Sequence, residues 1–233
     1  MEPCDFSRGR FRHEKQFSSD VSHELRTPIT VILAQSDYAL QYSDTFEEAK
    51  ESLEVINRHA KRMTNLINQI MELSKLERQK EIEKEKINLS NIVLQLLEDY
   101  KPLLESKNLN LVYNVEKDLR IQGNKIMLER VFLNILMNAV KFTKTNIEVS
   151  LTREDKTAVL KIRDDGIGIS EENKKFIWER FFQVNDSRNK EENKGSGLGL
   201  SMVKKIVDLH SATIDLESEL EQGTCFTIKF NMQ

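Results

Sequence analysis

Phe17-Ser18-Ser19-Asp20-Val21-Ser22-His23-Glu24-Leu25-Arg26-Thr27-Pro28 decides how the first half of this chain folds. Phe17, Val21, Leu25 and Ile32 recur at helical spacing, so they predict an amphipathic helix with one buried stripe. His23 lies two residues from both Val21 and Leu25, roughly 200° and 160° around the helix. Its imidazole is therefore expected in solvent, with Glu24 next to it in sequence. Pro28 cannot donate to the carbonyl of Glu24, which predicts a bend there at a cost of about 3 kcal/mol. A strained helix carrying an exposed imidazole points to a nucleophile.

The 233 residues suffice for one large or two modest domains. Lys and Arg number 35 against 38 Asp and Glu, so no basic excess argues for nucleic-acid binding. No apolar run approaches the roughly 20 residues that span a bilayer, and no secretory signal pattern is present. Membrane contact by this segment is not expected. Cys4 and Cys225 have neither metal-ligand spacing nor a disulfide framework.

The chain divides into three segments. Residues 1–11 are polar and read as an irregular linker. Residues 12–86 contain one proline, no glycine and a helical rhythm throughout. Leu53, Ile56, Ala60, Met63, Ile67 and Ile70 step by three and four, as in a coiled-coil seam. A break at 42–46, where Ser43 and Asp44 can cap, folds the first helix back on the second. Two apolar stripes cannot both be buried in one hairpin, which predicts a homodimer closing a four-helix bundle. From residue 87 to 233 period-two segments appear at 109–115, 147–151, 158–164 and 224–230, between helices at 89–106, 125–142, 171–182 and 198–209. That alternation of helices with antiparallel-type strands predicts an α+β sandwich, one layer of helices on one sheet.

Seven of the eight glycines fall in this second half, mostly clustered, which signals a ligand site. On the helix 125–142, Arg130, Asn134, Asn138 and Lys141 share one face, opposite Leu128, Phe132, Ile135, Ala139 and Phe142. Amide oxygens suit Mg²⁺ and a lysine suits phosphate. Asp164 has the parity of Ala158, Leu160 and Ile162, so it points to the side they bury. A buried carboxylate needs a partner, and an adenine amino group would supply one. Gly166 and Gly168 let the backbone pass close to a base. Gly195-Ser196-Gly197-Leu198-Gly199-Leu200 opens a helix whose first N–H groups can bind phosphate. It lacks the Gly-Lys-Ser/Thr ending of a P-loop, and the βαβ repeat of a dinucleotide fold is missing. The polar segment 183–194 reads as a lid over the nucleotide.

These elements, in this order over residues 12–233, resemble the catalytic core of a sensor histidine kinase. His23-Glu24-Leu25-Arg26-Thr27-Pro28 resembles the H box, 134–141 the N box and 164–168 the first glycine box. Residues 176–182 resemble the F box and 195–200 the second glycine box. The resemblance implies a dimerisation and histidine-phosphotransfer domain at 12–86 and a Bergerat-type ATP-binding domain at 87–233. It implies that His23 accepts the γ-phosphoryl group with Glu24 as general base. Asn138, helped by Asn134, would hold Mg²⁺, Lys141 would contact phosphate, and Asp164 would bind adenine. Gly166, Gly168, Gly195, Gly197, Leu198, Gly199 and Thr224 would complete the ATP site. The implied partner is a response regulator receiver domain, with Thr27 serving a phosphatase activity toward it. A cytoplasmic position follows for this segment, with room for a membrane anchor upstream in the full-length protein. One departure is visible: many relatives place two glycines after the histidine matching His210, and this chain has Ser211-Ala212.

Two other functions compete. ATP hydrolases of the gyrase, chaperone and mismatch-repair kind place a glutamate four residues before the metal-binding asparagine. Here that position is Asn134, an amide that cannot activate water. A nucleotide-binding scaffold without transfer is the second, and intact His23, Glu24, Asn138 and the glycines of 195–199 argue against it.

Overall fold

The computed structural model describes residues 5–184 and 195–232, with side chains from Ser18 onward. Two compact units divide between Leu73 and Ser74. The first contains α1 (Asp5–Gln41) and most of α2 (Phe46–Arg78). Thr45 starts α2 by accepting from the Glu48 N–H, while the Glu48 carboxylate accepts from the Asp44 N–H. The pair is a variant of the capping box in which the carboxylate reaches one residue beyond the capping threonine. Leu66 and Leu73 are buried along α2, with Ile56, Met63 and Ile70 half-buried. Leu53, Ala60 and Ile67, spaced by seven, stay exposed, as do Ile29 and Leu33 on α1. The expected seam is thus split into a covered row and an open one.

Strands β1 (Glu85–Asn88) and β3 (Arg120–Gly123) form a small antiparallel pair. The main sheet runs β2-β4-β5-β7-β6, with β2 (Asn110–Val115), β4 (Asn146–Glu154), β5 (Thr157–Asp164), β6 (Thr213–Glu219) and β7 (Gly223–Asn231). Ile147, Val149 and Leu151, Ala158, Leu160 and Ile162, and Phe226, Ile228 and Phe230 are buried, while Glu148, Lys161 and Arg163 alternate outward. Helices α3 (Leu89–Ser106), α4 (Lys125–Phe142) and α6 (Gly199–Leu209) supply the other half of this core through Leu97, Phe132, Ile135 and Ile206. Asn88 and Asn124 cap α3 and α4, each accepting from the backbone N–H three residues on. The helical hairpin and the α+β sandwich both stand as read.

Several local expectations are corrected. The helix α1 begins at Asp5, inside the stretch read as irregular. Strands β2 and β4 pair in parallel, because they are joined by a long crossover through β3 and α4 rather than by a hairpin turn. The helix expected over 171–182 is only α5 (Glu171–Lys174) followed by turns. Trp178 lies edge-on to Phe226, with centroids 6.0 Å apart, and Phe181 takes a φ of 60°. A continuous helix accommodates no such left-handed residue. The expected lid falls, from residue 185 to 194, outside the described residues.

His210 ends α6 and is buried. Its Nε2 accepts the Asn124 N–H at 3.0 Å, so Nδ1 carries the hydrogen facing the Ile206 carbonyl at 2.8 Å. Ser211 follows with a φ of 55°, the left-handed turn that a glycine would make at lower cost. Burial lowers the His210 pKa, Lys84 adds to this, and the bond to Ile206 opposes it. An unfolded histidine titrates near 6.5, so the unfolded chain binds this proton first as pH falls. The stability gained from the neutral ring is intact above about pH 6.5 and lost below it, by up to about 1.4 kcal/mol per pH unit. Urea unfolding between pH 7.5 and 5 is expected to show this loss, and His210→Gln to flatten it. An unchanged slope in the variant would remove His210 as its source.

Candidate active site

The polar stripe of α4 is set by what the opposite face buries. With Leu128, Phe132, Ile135 and Ala139 in the core, Asn134 and Asn138 are half-buried and Lys141 is exposed at the last turn. The start of α6 runs alongside. A Cβ added at Gly199 would lie 3.0 Å from Asn134 Oδ1, and one at Gly195 would lie 3.4 Å from Lys141 Nζ. Any side chain at these positions would fill the space beside the stripe. Leu198 anchors the turn by complete burial, and among the described residues no side chain caps the α6 N-terminus. Its first N–H groups are thus available to an anion. Gly197 has a φ of 70° and its carbonyl accepts the Phe181 N–H at 2.9 Å, so the F-box segment is tied to the glycine turn.

The other end of the site lies where β5 stops. Asp164 is 6% exposed, on the inner face as its parity requires. Burial raises its pKa, against hydrogen bonds from the Gly166 and Thr224 N–H groups, and the neighbouring Asp165 charge raises it further. Asp164 Oδ1 accepts the Gly166 N–H at 2.9 Å, leaving acceptor capacity on the carboxylate. A Cβ at Gly166 would land on the Phe142 carbonyl oxygen, and one at Gly168 on that of Glu219. Thr224 pairs with Asp164 across β5 and β7, and its hydroxyl lies 3.0 Å from Ser218 Oγ. The structure therefore gathers Asn134, Asn138, Lys141, Gly195, Gly197, Leu198 and Gly199 along α4 and α6. It gathers Asp164, Gly166, Gly168 and Thr224 at the strand ends.

His23, Glu24 and Thr27 belong to the other compact unit. His23 and Thr27 are exposed on α1 and Glu24 is half-buried. Two residues near the glycine turns escaped the sequence reading. Ser218 accepts from the Ile169 N–H and donates to the Gly223 carbonyl, both at 2.8 Å. Its parity with Ile214 and Leu216 is the signal that would have placed it inward. Asp165 is the other, of opposite parity to Asp164.

Residues 13–79 match the family "His Kinase A (phospho-acceptor) domain". Residues 123–233 match "Histidine kinase-, DNA gyrase B-, and HSP90-like ATPase". A sensor-like histidine kinase of Porphyra purpurea, ycf26, is 33% identical across 91% of this chain and 35% of its own length. The sensor histidine kinase YkoH of Bacillus subtilis is 30% identical across 94% of this chain and 48% of its own. The chain thus spans half or less of these relatives. Among solved structures, the Acinetobacter baumannii histidine kinase AdeS aligns with a TM-score of 0.71 at 22% identity, covering 91% of this chain and 98% of that one. Histidine kinase ThkA, solved with the response regulator TrrA, aligns at 0.79 and 23% identity over 97% of this chain and 64% of its own. Those two likenesses establish the fold. Taken with the paired domains, the chain belongs to the sensor histidine kinases of two-component systems. It carries that family's two core domains, a phospho-acceptor domain over residues 13–79 and a histidine kinase-type ATPase domain over 123–233. No helix among the described residues is long and apolar enough to cross a membrane.

The two ends of the ATP site should separate in binding experiments. Asn138→Ala removes an oxygen that Mg²⁺, with its near-octahedral demand, does not readily replace. Calorimetry should show ATP affinity in this variant falling about tenfold with Mg²⁺ present and little without it. Asp164→Ala should weaken ATP in both conditions. Equal losses with and without Mg²⁺ for Asn138→Ala would contradict a metal role.

Proposed function

We propose that the chain autophosphorylates on His23 from Mg-ATP and passes the phosphoryl group to an aspartate of a response regulator receiver domain. The observation that carries this reading is the exposed imidazole of His23, with Glu24 beside it, in a chain whose second unit offers a cradle free of side chains along α4. A nitrogen of His23 attacks the γ-phosphorus, the bond to the β-phosphate oxygen breaks, and Glu24 takes the imidazole proton. Asn138 and Asn134 hold Mg²⁺, which neutralises phosphate charge when bound. Lys141 and the N–H groups of Gly195, Gly197, Leu198 and Gly199 take the phosphates. The buried Asp164 accepts from the adenine amino group, with Gly166, Gly168 and Thr224 around the base.

The functional division of the chain follows as residues 1–11, 12–86 and 87–233. The open row of Leu53, Ala60 and Ile67 supports a homodimer through the helical hairpin, since a second copy would cover it. The receiver domain is the partner that consumes the phosphoryl group, as ThkA and TrrA are found together. The segment acts in the cytoplasm, and the longer protein implied by the relatives' lengths has room for a membrane anchor.

Incubation with γ-labelled Mg-ATP should label the chain with an acid-labile, base-stable phosphoramidate. His23→Gln should abolish the label and leave nucleotide affinity within about twofold, because acceptor and donor sites belong to separate compact units. Persistent labelling would move the acceptor, with His59 next to test.

Thr27 completes the reading as a residue for the reverse direction. It follows His23 by four and shares its exposed face one turn along. Its hydroxyl can position a water for attack on the regulator's aspartyl phosphate. Thr27→Ala should keep autophosphorylation and forward transfer while slowing regulator dephosphorylation in the presence of ADP by about tenfold or more. Unchanged decay with reduced autophosphorylation would make Thr27 a structural neighbour of Pro28 only.

A further inference from the structure

Asp165 has no part in the chemistry above, yet its carboxylate is saturated. Oδ1 accepts from Thr143 Oγ1 at 2.6 Å, from the Lys144 N–H at 2.9 Å and from the Thr145 N–H at 3.0 Å. Oδ2 accepts from Thr145 Oγ1 and Asn146 Nδ2, both at 2.8 Å. A carboxylate offers about four lone-pair directions, so these donors leave no capacity for a metal or a base. Burial alone would raise its pKa, but the bonds from Thr143, Thr145 and Asn146 outweigh that and hold it well below the usual carboxylate range.

Those donors lie in the connection from α4 to β4, at Thr143, Lys144 and Thr145, and at Asn146, the first residue of β4, while Asp165 is the first residue beyond β5. The carboxylate therefore joins the exit of the phosphate-side helix to the exit of the base-side strand. Gly166 closes the same joint by bringing its backbone against the Phe142 carbonyl. Lys144 extends it, with Nζ at 3.1 Å from the Glu221 carbonyl and 3.0 Å from the Glu221 carboxylate. The Glu221 N–H in turn donates to the Ile167 carbonyl at 2.8 Å. Three turns thus form one closed ring around the residues that follow Asp164.

We propose that Asp165 is the positioning residue of the adenine subsite, fixing Asp164 relative to the end of α4 that carries Asn138 and Lys141. The proposal rests on the reading of Asp164 as the adenine acceptor. Base and phosphates belong to one ligand, so the spacing of their two subsites tolerates little error. Beyond Asp164 one last backbone bond to β4 remains, from the Asp165 N–H to the Asn146 carbonyl at 3.2 Å, and the Asp165 carboxylate adds the side-chain clamp that holds the turn.

The test is base-selective. Guanine carries a carbonyl oxygen where adenine carries its amino group, so GTP gains nothing from a well-placed Asp164. In the full chain, Asp165→Asn keeps the side-chain volume but loses one acceptor oxygen. It is expected to weaken Mg-ATP about tenfold in calorimetry while leaving the weak binding of Mg-GTP unchanged. Asp164→Ala should show the same selective loss, and the double variant should bind ATP no more weakly than Asp164→Ala alone. Equal weakening of both nucleotides, or full additivity in the double variant, would reduce Asp165 to a fold staple and overturn the proposal. Normal ATP binding by Asp165→Asn overturns it too. Normal ATP binding by Asp164→Ala would sink the adenine assignment itself, and the proposal with it. Should Asp165→Asn fail to fold, Thr145→Val removes one donor from an intact carboxylate. A smaller loss, about threefold and again confined to ATP, is then expected, and a nucleotide-independent loss would refute the role.

Discussion

The burial of one face of α4 is the constraint on which the nucleotide site depends. Leu128, Val131, Phe132, Ile135, Leu136 and Ala139 are all at or below 4% exposure, packed against the sheet and α6. Turning the helix by one residue, about 100°, would drive Asn134 or Asn138 into that core. An unpaired amide there costs several kcal/mol, so the rotation is forbidden by the desolvation of the same groups that the ligand needs. Apolar packing aims the polar stripe. The glycines of the α6 turn then need only stay out of the way, which is what the absence of a Cβ beside Asn134 and Lys141 accomplishes.

The helical hairpin obeys the opposite economy. Its two helices cover Leu66, Leu73 and Pro28 but leave Leu33, Leu53, Ile67 and Met71 largely open. A two-helix unit has too little interior to bury both rows, whereas four helices around one axis can. The same geometry that leaves an apolar row open leaves His23 and Thr27 in solvent on α1. An exposed imidazole and an unsatisfied apolar row are therefore two outcomes of one small core.

How much of this was legible in the sequence depended on how strongly each element's pattern was enforced. The bounds of α3 and α4 were readable because long 3.6-residue patterns ended in Asn caps and polar turns. Asp164 was placed correctly by parity alone, since β5 is central and a one-residue slip would bury Lys161 and Arg163. Strands β1 and β3, four residues each, are too short to show a period, and β6 is an edge strand in which only Ile214 and Leu216 mark the inner face. The parallel pairing of β2 with β4 cannot be read from alternation, because strand direction is decided by the connection rather than by the strand. At 171–182 the helical pattern was real, but the contact of Trp178 with Phe226 and the left-handed Phe181 overrode it. Asp165 was missed for a different reason. Its importance lies in donors about twenty residues away, and nothing in local spacing reports them.

The identity of Asn134 shapes the chemistry more than any residue that touches a proton. Its amide oxygen lies against the Gly199 backbone, on the stripe that faces the phosphate cradle. An amide has no useful basicity near neutral pH, so this position cannot draw a proton from water. A cradle that binds phosphate without activating water preserves the γ-phosphoryl group until a nucleophile arrives from elsewhere. In this chain the nucleophile proposed above, His23, belongs to a separately packed unit. Nucleotide affinity and transfer rate can therefore vary independently. The first depends on packing within the second unit, and the second, on the proposed role of His23, depends on residues of the first unit.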